Sequence, residues 1–86
     1  MEKFKVKVIF RKFKNGEIIA LFPEIVGRRY VSSYMHLGQH SDADYSHVVQ
    51  GTTLATPDEY MELKKELEKI GYIVVVGKKA KIKYKV

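Results

Sequence analysis

Apolar and polar residues alternate from the start of the chain. Phe4, Val6, Val8 and Phe10 fall on one side of an extended segment. Lys3, Lys5, Lys7 and Arg11 fall on the other, with Ile9 interrupting the polar row. Lys14-Asn15-Gly16-Glu17 then signals a turn, because an Asn-Gly pair tolerates the positive φ that tight hairpins need. Glu17 to Phe22 reads as the returning strand, ended by Pro23. A β-hairpin over residues 3–22 is the expectation for the N-terminal part.

The middle of the chain has a weaker pattern. Glu24 to Arg29 reads as a loop around Gly27, and Tyr30 to Leu37 as a third strand rich in β-formers. Gly38 to Ser46 carries Gly, Asp and Ser and predicts an irregular loop. His47 to Gln50 suggests a short strand, and Gly51 to Ala55 a connector.

Periodicity then changes. Thr56-Pro57-Asp58-Glu59 is a helix start: Thr56 caps, Pro57 suits the first helical position and Glu59 completes a capping box. Tyr60, Leu63, Leu67 and Ile70 form an apolar stripe at helical spacing, and Gly71 stops the helix. Tyr72 to Val76 is apolar throughout, as in a central strand buried on both faces or against the helix. Gly77-Lys78-Lys79 turns the chain, and Ala80, Ile82, Tyr84 and Val86 alternate with Lys81, Lys83 and Lys85 in a final strand. The predicted architecture is a single α+β domain over residues 1–86. It comprises an antiparallel sheet of about five strands with one amphipathic helix packed on one face. One stripe cannot cover both faces, so the other must be polar, covered by loops, or in contact with another chain.

Composition narrows the class. A chain of 86 residues has little surface to bury, about 60–65% of that of the unfolded chain. It holds no cysteine, which excludes disulfides, thiolate zinc sites and cysteine nucleophiles. No apolar run reaches the ~20 residues of a membrane span. The first residues alternate charge and apolar groups, unlike a signal peptide. A cytoplasmic location, with no membrane partner, is expected. Sixteen Lys and Arg against ten Asp and Glu give a net charge of +6, which attracts polyanions.

Several segments taken in order resemble a known group. They are Phe10-Arg11-Lys12-Phe13, Ile18 to Pro23, Ser33 to His40, Ala43-Asp44-Tyr45, Ala55 to Tyr60 and Glu66 to Tyr72. This order is similar to that of small bacterial proteins from phage-like and mobile-element regions, a group without an assigned activity. The resemblance covers residues 8–76, and Gly38-Gln39-His40 before Asp44-Tyr45 is its most distinctive part. Glu24 to Val31 departs from it. What the resemblance implies is origin rather than chemistry.

Two constellations could carry chemistry. The first is the polar segment that contains all three histidines, with His36, Gln39, His40, Asp42, Asp44 and His47 as candidate site residues. An extended backbone after Gly38 would point His40, Asp42 and Asp44 the same way. His36, His40 and Asp44 are the weak candidates for a metal, but their spacing matches no established ligand motif. Loop bracing through backbone amides is the plainer reading. The serines show no nucleophile-elbow spacing and no catalytic residue is assigned.

The second constellation is basic. Lys3, Lys5 and Lys7 line one strand, Lys81, Lys83 and Lys85 another, and Arg11, Arg28 and Arg29 add to them. If both strands expose one sheet face, these groups could track a phosphate backbone, with a solvated strand face as the plain alternative. The leading expectation is a small non-enzymatic binding protein of a bacterial or mobile genetic element, without cofactor, with nucleic acid as partner. The alternatives are a protein-interaction module or homodimer using the sheet face or an edge strand, and thirdly a small metal-dependent enzyme at the histidine segment.

Overall fold

A computed structural model of the chain describes residues 4–36 and 39–85, with Gln39 described by its backbone alone. The elements in chain order are β1 (Phe4–Lys12), β2 (Ile18–Val26), β3 (Val31–Met35), β4 (Gln39–Ala43), α1 (Tyr45–Gln50), β5 (Thr53–Leu54), α2 (Pro57–Ile70) and β6 (Tyr72–Gly77). The strands form one six-stranded sheet in the order β4-β3-β2-β1-β5, with β6 also on β1. β6 lies beside Phe4 to Ile9, and β5 beside Arg11 and Lys12. Pairing is antiparallel everywhere except between β1 and β6, which run parallel. The fold is α+β, with α2 as the main helix.

The N-terminal hairpin forms around Gly16, whose φ of 92° is the conformation the Asn-Gly turn requires. β2 does not stop at Pro23. It continues to Val26, but pairing with β3 jumps from Phe22↔Ser32 to Val26↔Val31. Proline has no N–H to give to the ladder, so the strand bulges past it.

Helix α2 follows its sequence signals. Thr56 Oγ1 accepts from the Glu59 amide and the Glu59 side chain accepts from the Thr56 amide, closing the capping box. Gly71 leaves the helix at φ 126°. Leu63 and Leu67 are buried against Val6, Val8, Phe10, Ala20, Phe22 and Tyr34. Burial of one such side chain contributes about 1.5–3 kcal/mol. Phe10 stacks on Tyr60 with ring centroids 4.4 Å apart. Ile70, the last member of the stripe, stays exposed at the helix end.

Besides β2, and the connector Gly51 to Ala55 that holds β5, four further segments differ from the sequence expectation. The predicted irregular loop contains β4, because Gln39 to Ala43 pair residue by residue with β3. Its polar composition suits a sheet edge rather than a loop. His47 to Gln50 are helical, not extended. Asp44 caps α1 by accepting from the His47 amide at 3.2 Å, and this overrides the β-branched Val48-Val49 pair. β6 is an edge strand rather than a central one, and Ile73, Val75 and Val76 are exposed.

The fourth difference is the C-terminal segment, whose described residues pair with no strand. Its alternation is real: Ala80, Ile82 and Tyr84 are half-buried while Lys81, Lys83 and Lys85 are exposed. It lies as an extended tail over the sheet face opposite α2. There Ile9, Ile19, Leu21, Val31 and Ala43 form a second buried cluster, covered by Tyr45 and Val48 of α1 and by Ala80, Ile82 and Tyr84. The Ala80 amide donates to the Tyr45 hydroxyl at 3.1 Å, and the Lys85 amide to the Gly27 carbonyl at 2.8 Å. Both sheet faces are thus covered from within the chain.

Candidate functional site

Strand alternation distributes the histidine segment. His40 lies opposite Tyr34, and Asp42 opposite Ser32. His40 and Asp42 therefore share the α2 side of the sheet, as an extended backbone requires. Asp44 leaves that row to cap α1, and His47 sits within α1. The His40 ring packs edge-on to Tyr34 with centroids 4.6 Å apart. His36 Nδ1 lies 2.7 Å from Glu66 Oε2, and the hydroxyl of buried Tyr34 donates to Glu66 Oε1. Glu66 thus ties α2 to β3. Glu66 stands outside the apolar stripe predicted for α2, and only the tertiary fold reveals its role.

This arrangement braces the sheet edge. Among the described residues no three of His, Asp and Glu gather into a group that could hold a metal. His36, His40 and Asp44 in particular are committed to three different contacts: Glu66, Tyr34 and the His47 amide.

The basic residues separate into two sets. Arg11 is taken up internally. Its Nε donates to Thr52 Oγ1 at 2.9 Å, and Nη2 donates to the carbonyls of Val49 and Thr52 at 3.0 and 2.7 Å. It fastens the end of α1 to β1. Lys3 lies outside the described residues. Lys12, not singled out from sequence, pairs with Glu59.

In the remaining set Lys7 is half-buried and the others are exposed. Lys5 and Lys7 share the side of β1 that carries Ile9, the face over which the tail runs. Lys7 Nζ donates to the Lys79 carbonyl at 3.3 Å, so this row meets the tail where it begins. Along the tail Lys78, Lys79, Lys81, Lys83 and Lys85 are exposed, and no acidic residue interrupts residues 77–85. Lys78 and Lys79, predicted as part of a turn, extend the row. Lysines at alternate positions of an extended chain stand about 6.5–7 Å apart.

The tail's last hydrogen bond, to Gly27, brings Lys85 beside Arg28 and Arg29. Both arginines are exposed, with Tyr30 47% exposed next to them. They border an open cleft of about 490 Å³ whose other walls include Ile25, Val26, Ser32 and Asp42. Sequence reading named Arg28, Arg29 and Asp42 separately. Their meeting at one cleft depends on the β2–β3 turn and on β4, which reads as a loop in the sequence.

This surface is built from the tail, the β2–β3 turn and β4. It offers a row of cations, two guanidinium forks and one accessible aromatic face. Among the described residues no helix is long and apolar enough to cross a membrane. The chain matches no family model, no curated protein and no solved structure, so its functional reading rests on the geometry of its own residues.

Proposed function

We propose that the protein is a non-enzymatic nucleic-acid-binding protein. The observation that carries this reading is the tail. Its apolar residues are fixed on the second core, its lysines all project outward, and its end is tied beside Arg28 and Arg29. A lysine row held in place loses less entropy on binding than a free basic tail. Phosphates run along Lys81, Lys83 and Lys85 to the arginine pair. Tyr30 supplies a face on which an unpaired base stacks, which favours a single strand over a duplex. Asp42 lines the cleft from the α2 side of the sheet, opposite the tail, and repels phosphate there, so the backbone stays at the arginine pair. The resemblance to proteins of phage-like regions supports an accessory role in a bacterial or mobile genetic element. A nucleic-acid partner goes with a cytoplasmic location.

Fluorescence anisotropy with labelled single-stranded DNA, RNA and duplex tests the reading. Neutralising about five phosphates on a single strand gives a slope of about −3.5 in log K against log salt. Reversing Lys83 and Arg29 to Glu should remove binding while leaving the melting temperature near that of the parent. Absence of binding to every probe at low salt overturns the proposal.

A further inference from the structure

The cleft beside the β2–β3 turn holds polar groups that the fold does not use. Arg28 and Arg29 line it with Tyr30, Ser32 and Asp42. Among the described residues neither guanidinium has an ion-pair partner, and neither the Asp42 carboxylate nor the Ser32 hydroxyl has a hydrogen-bond partner. Two cations, a carboxylate and a hydroxyl are thus left for a ligand.

Ser32 and Asp42 are cross-strand partners on β3 and β4. Their side chains leave the sheet on one side, with Cβ atoms about 4.5–5.5 Å apart. The carboxylate only accepts, through two oxygens, while the hydroxyl has a proton to give. Side by side they fit a planar edge that presents two donors next to one acceptor.

We infer that the cleft is a guanine subsite, an assignment that rests on the single-strand reading above and names the base it takes. Guanine sets two N–H donors, N1–H and the 2-amino group, side by side on its Watson–Crick edge, with the O6 acceptor beside them. Asp42 accepts from both donors in a charge-assisted, bidentate pair, and Ser32 donates to O6. The other bases do not match. Adenine and cytosine each set an amino group beside a ring-nitrogen acceptor, which would face a carboxylate oxygen. Thymine and uracil hold one N–H between two carbonyls.

The rest of the cleft suits the same nucleotide. Tyr30, 47% exposed, supplies the stacking face. The nucleotide's phosphate stays on Arg28 and Arg29, since Asp42 turns phosphate away from the place where it takes the base. A cavity of about 150 Å³ is enough for a benzene ring. The cleft's volume of about 490 Å³ therefore has room for a purine.

Fluorescence anisotropy with thymidine strands carrying one central guanine, hypoxanthine, adenine or cytosine tests the inference. Guanine should tighten binding about tenfold over adenine or cytosine. Hypoxanthine lacks the 2-amino group and should bind about threefold more weakly than guanine. Asp42→Asn puts a donor where an acceptor is needed, so the guanine preference should vanish. Affinity for the all-thymidine strand should hold or rise, because a repulsive charge is gone. An Asp42→Asn effect of equal size on every strand would show charge alone and overturn the inference. Ser32→Ala should cut the preference about threefold. If Asp42→Asn fails to fold by circular dichroism, hypoxanthine on the parent protein decides. Binding without preference for guanine overturns the subsite and leaves the single-strand reading standing. No binding to any strand at low salt overturns both. Guanosine monophosphate that binds as tightly as the guanine-bearing strand assigns the cleft to a free nucleotide and overturns its place on a strand.

Discussion

The Lys85 amide donates to the Gly27 carbonyl across 2.8 Å, joining the end of the chain to the β2–β3 turn. This contact fixes the direction of the whole tail. With Ala80 held by Tyr45 at the other end, the residues between are stretched across the second core. Ile82 and Tyr84 then turn inward and the lysines outward. The segment stabilises the fold and presents charge by one and the same alternation.

Stability and binding are consequently coupled at Ile82 and Tyr84. Each is half-buried, so replacement by Ala should cost about 1–2 kcal/mol, below the value for a full core deletion. Neither substitution removes a charge, yet both should weaken nucleic-acid affinity, because the freed lysines must be ordered on binding. Urea unfolding and anisotropy on the same variants check the pair of effects. Unchanged unfolding for Ile82→Ala would show that the tail does not cover the second face.

Legibility in the sequence followed the source of order. The turn of the first hairpin and the ends of α2 are specified locally, by Asn15-Gly16 and by Thr56, Glu59 and Gly71, and each forms as the residues predict. β4 could not be read because nothing apolar marks it: Gln39, His40, Ser41 and Asp42 are extended only because β3 offers them a ladder. The tail shows the converse. Alternation at Ala80, Ile82 and Tyr84 reports a half-buried extended chain and does not say whether a strand or a core face covers it. The candidate surface was legible as composition, in Lys81 to Lys85 and Arg28-Arg29. Its continuity was not, since it rests on one long-range hydrogen bond. Arg11 looked like its neighbours on the lysine side of β1, and only the fold shows it turned to Thr52 and Val49.

The Tyr34–Glu66 hydrogen bond supports the sheet edge from α2. Tyr34 is 1% exposed, and its hydroxyl donates to Glu66 in a setting that strengthens a charge-assisted bond. Tyr34→Phe should cost about 1–2 kcal/mol. Glu66→Gln keeps an acceptor for the hydroxyl and should cost less. A double-mutant cycle on thermal unfolding gives the coupling between them. Additive effects would show that the two side chains do not act together.

Glu59 gives the fold a defined response to acid. Its carboxyl is lowered from 4.5 to about 2, first by the hydrogen bond from Lys12 and then by the Thr56 amide. A carboxylate with a depressed value in the folded state stabilises that state fully above its unfolded value. The contribution is lost as pH falls from about 4.5 through about 2. The capping box and the tie between α2 and β1 should therefore persist at pH 4 and fail near pH 2. Lys12→Met removes the first cause while leaving the Thr56 amide in place. The Glu59 midpoint should then move up toward 4.5 and the acid unfolding transition should begin at higher pH. Carboxyl carbon shifts followed by NMR between pH 1.5 and 6, a range set by the ordinary Glu value of about 4.3, read the midpoint directly. A Glu59 midpoint that stays low in Lys12→Met would assign the depression to the helix cap alone.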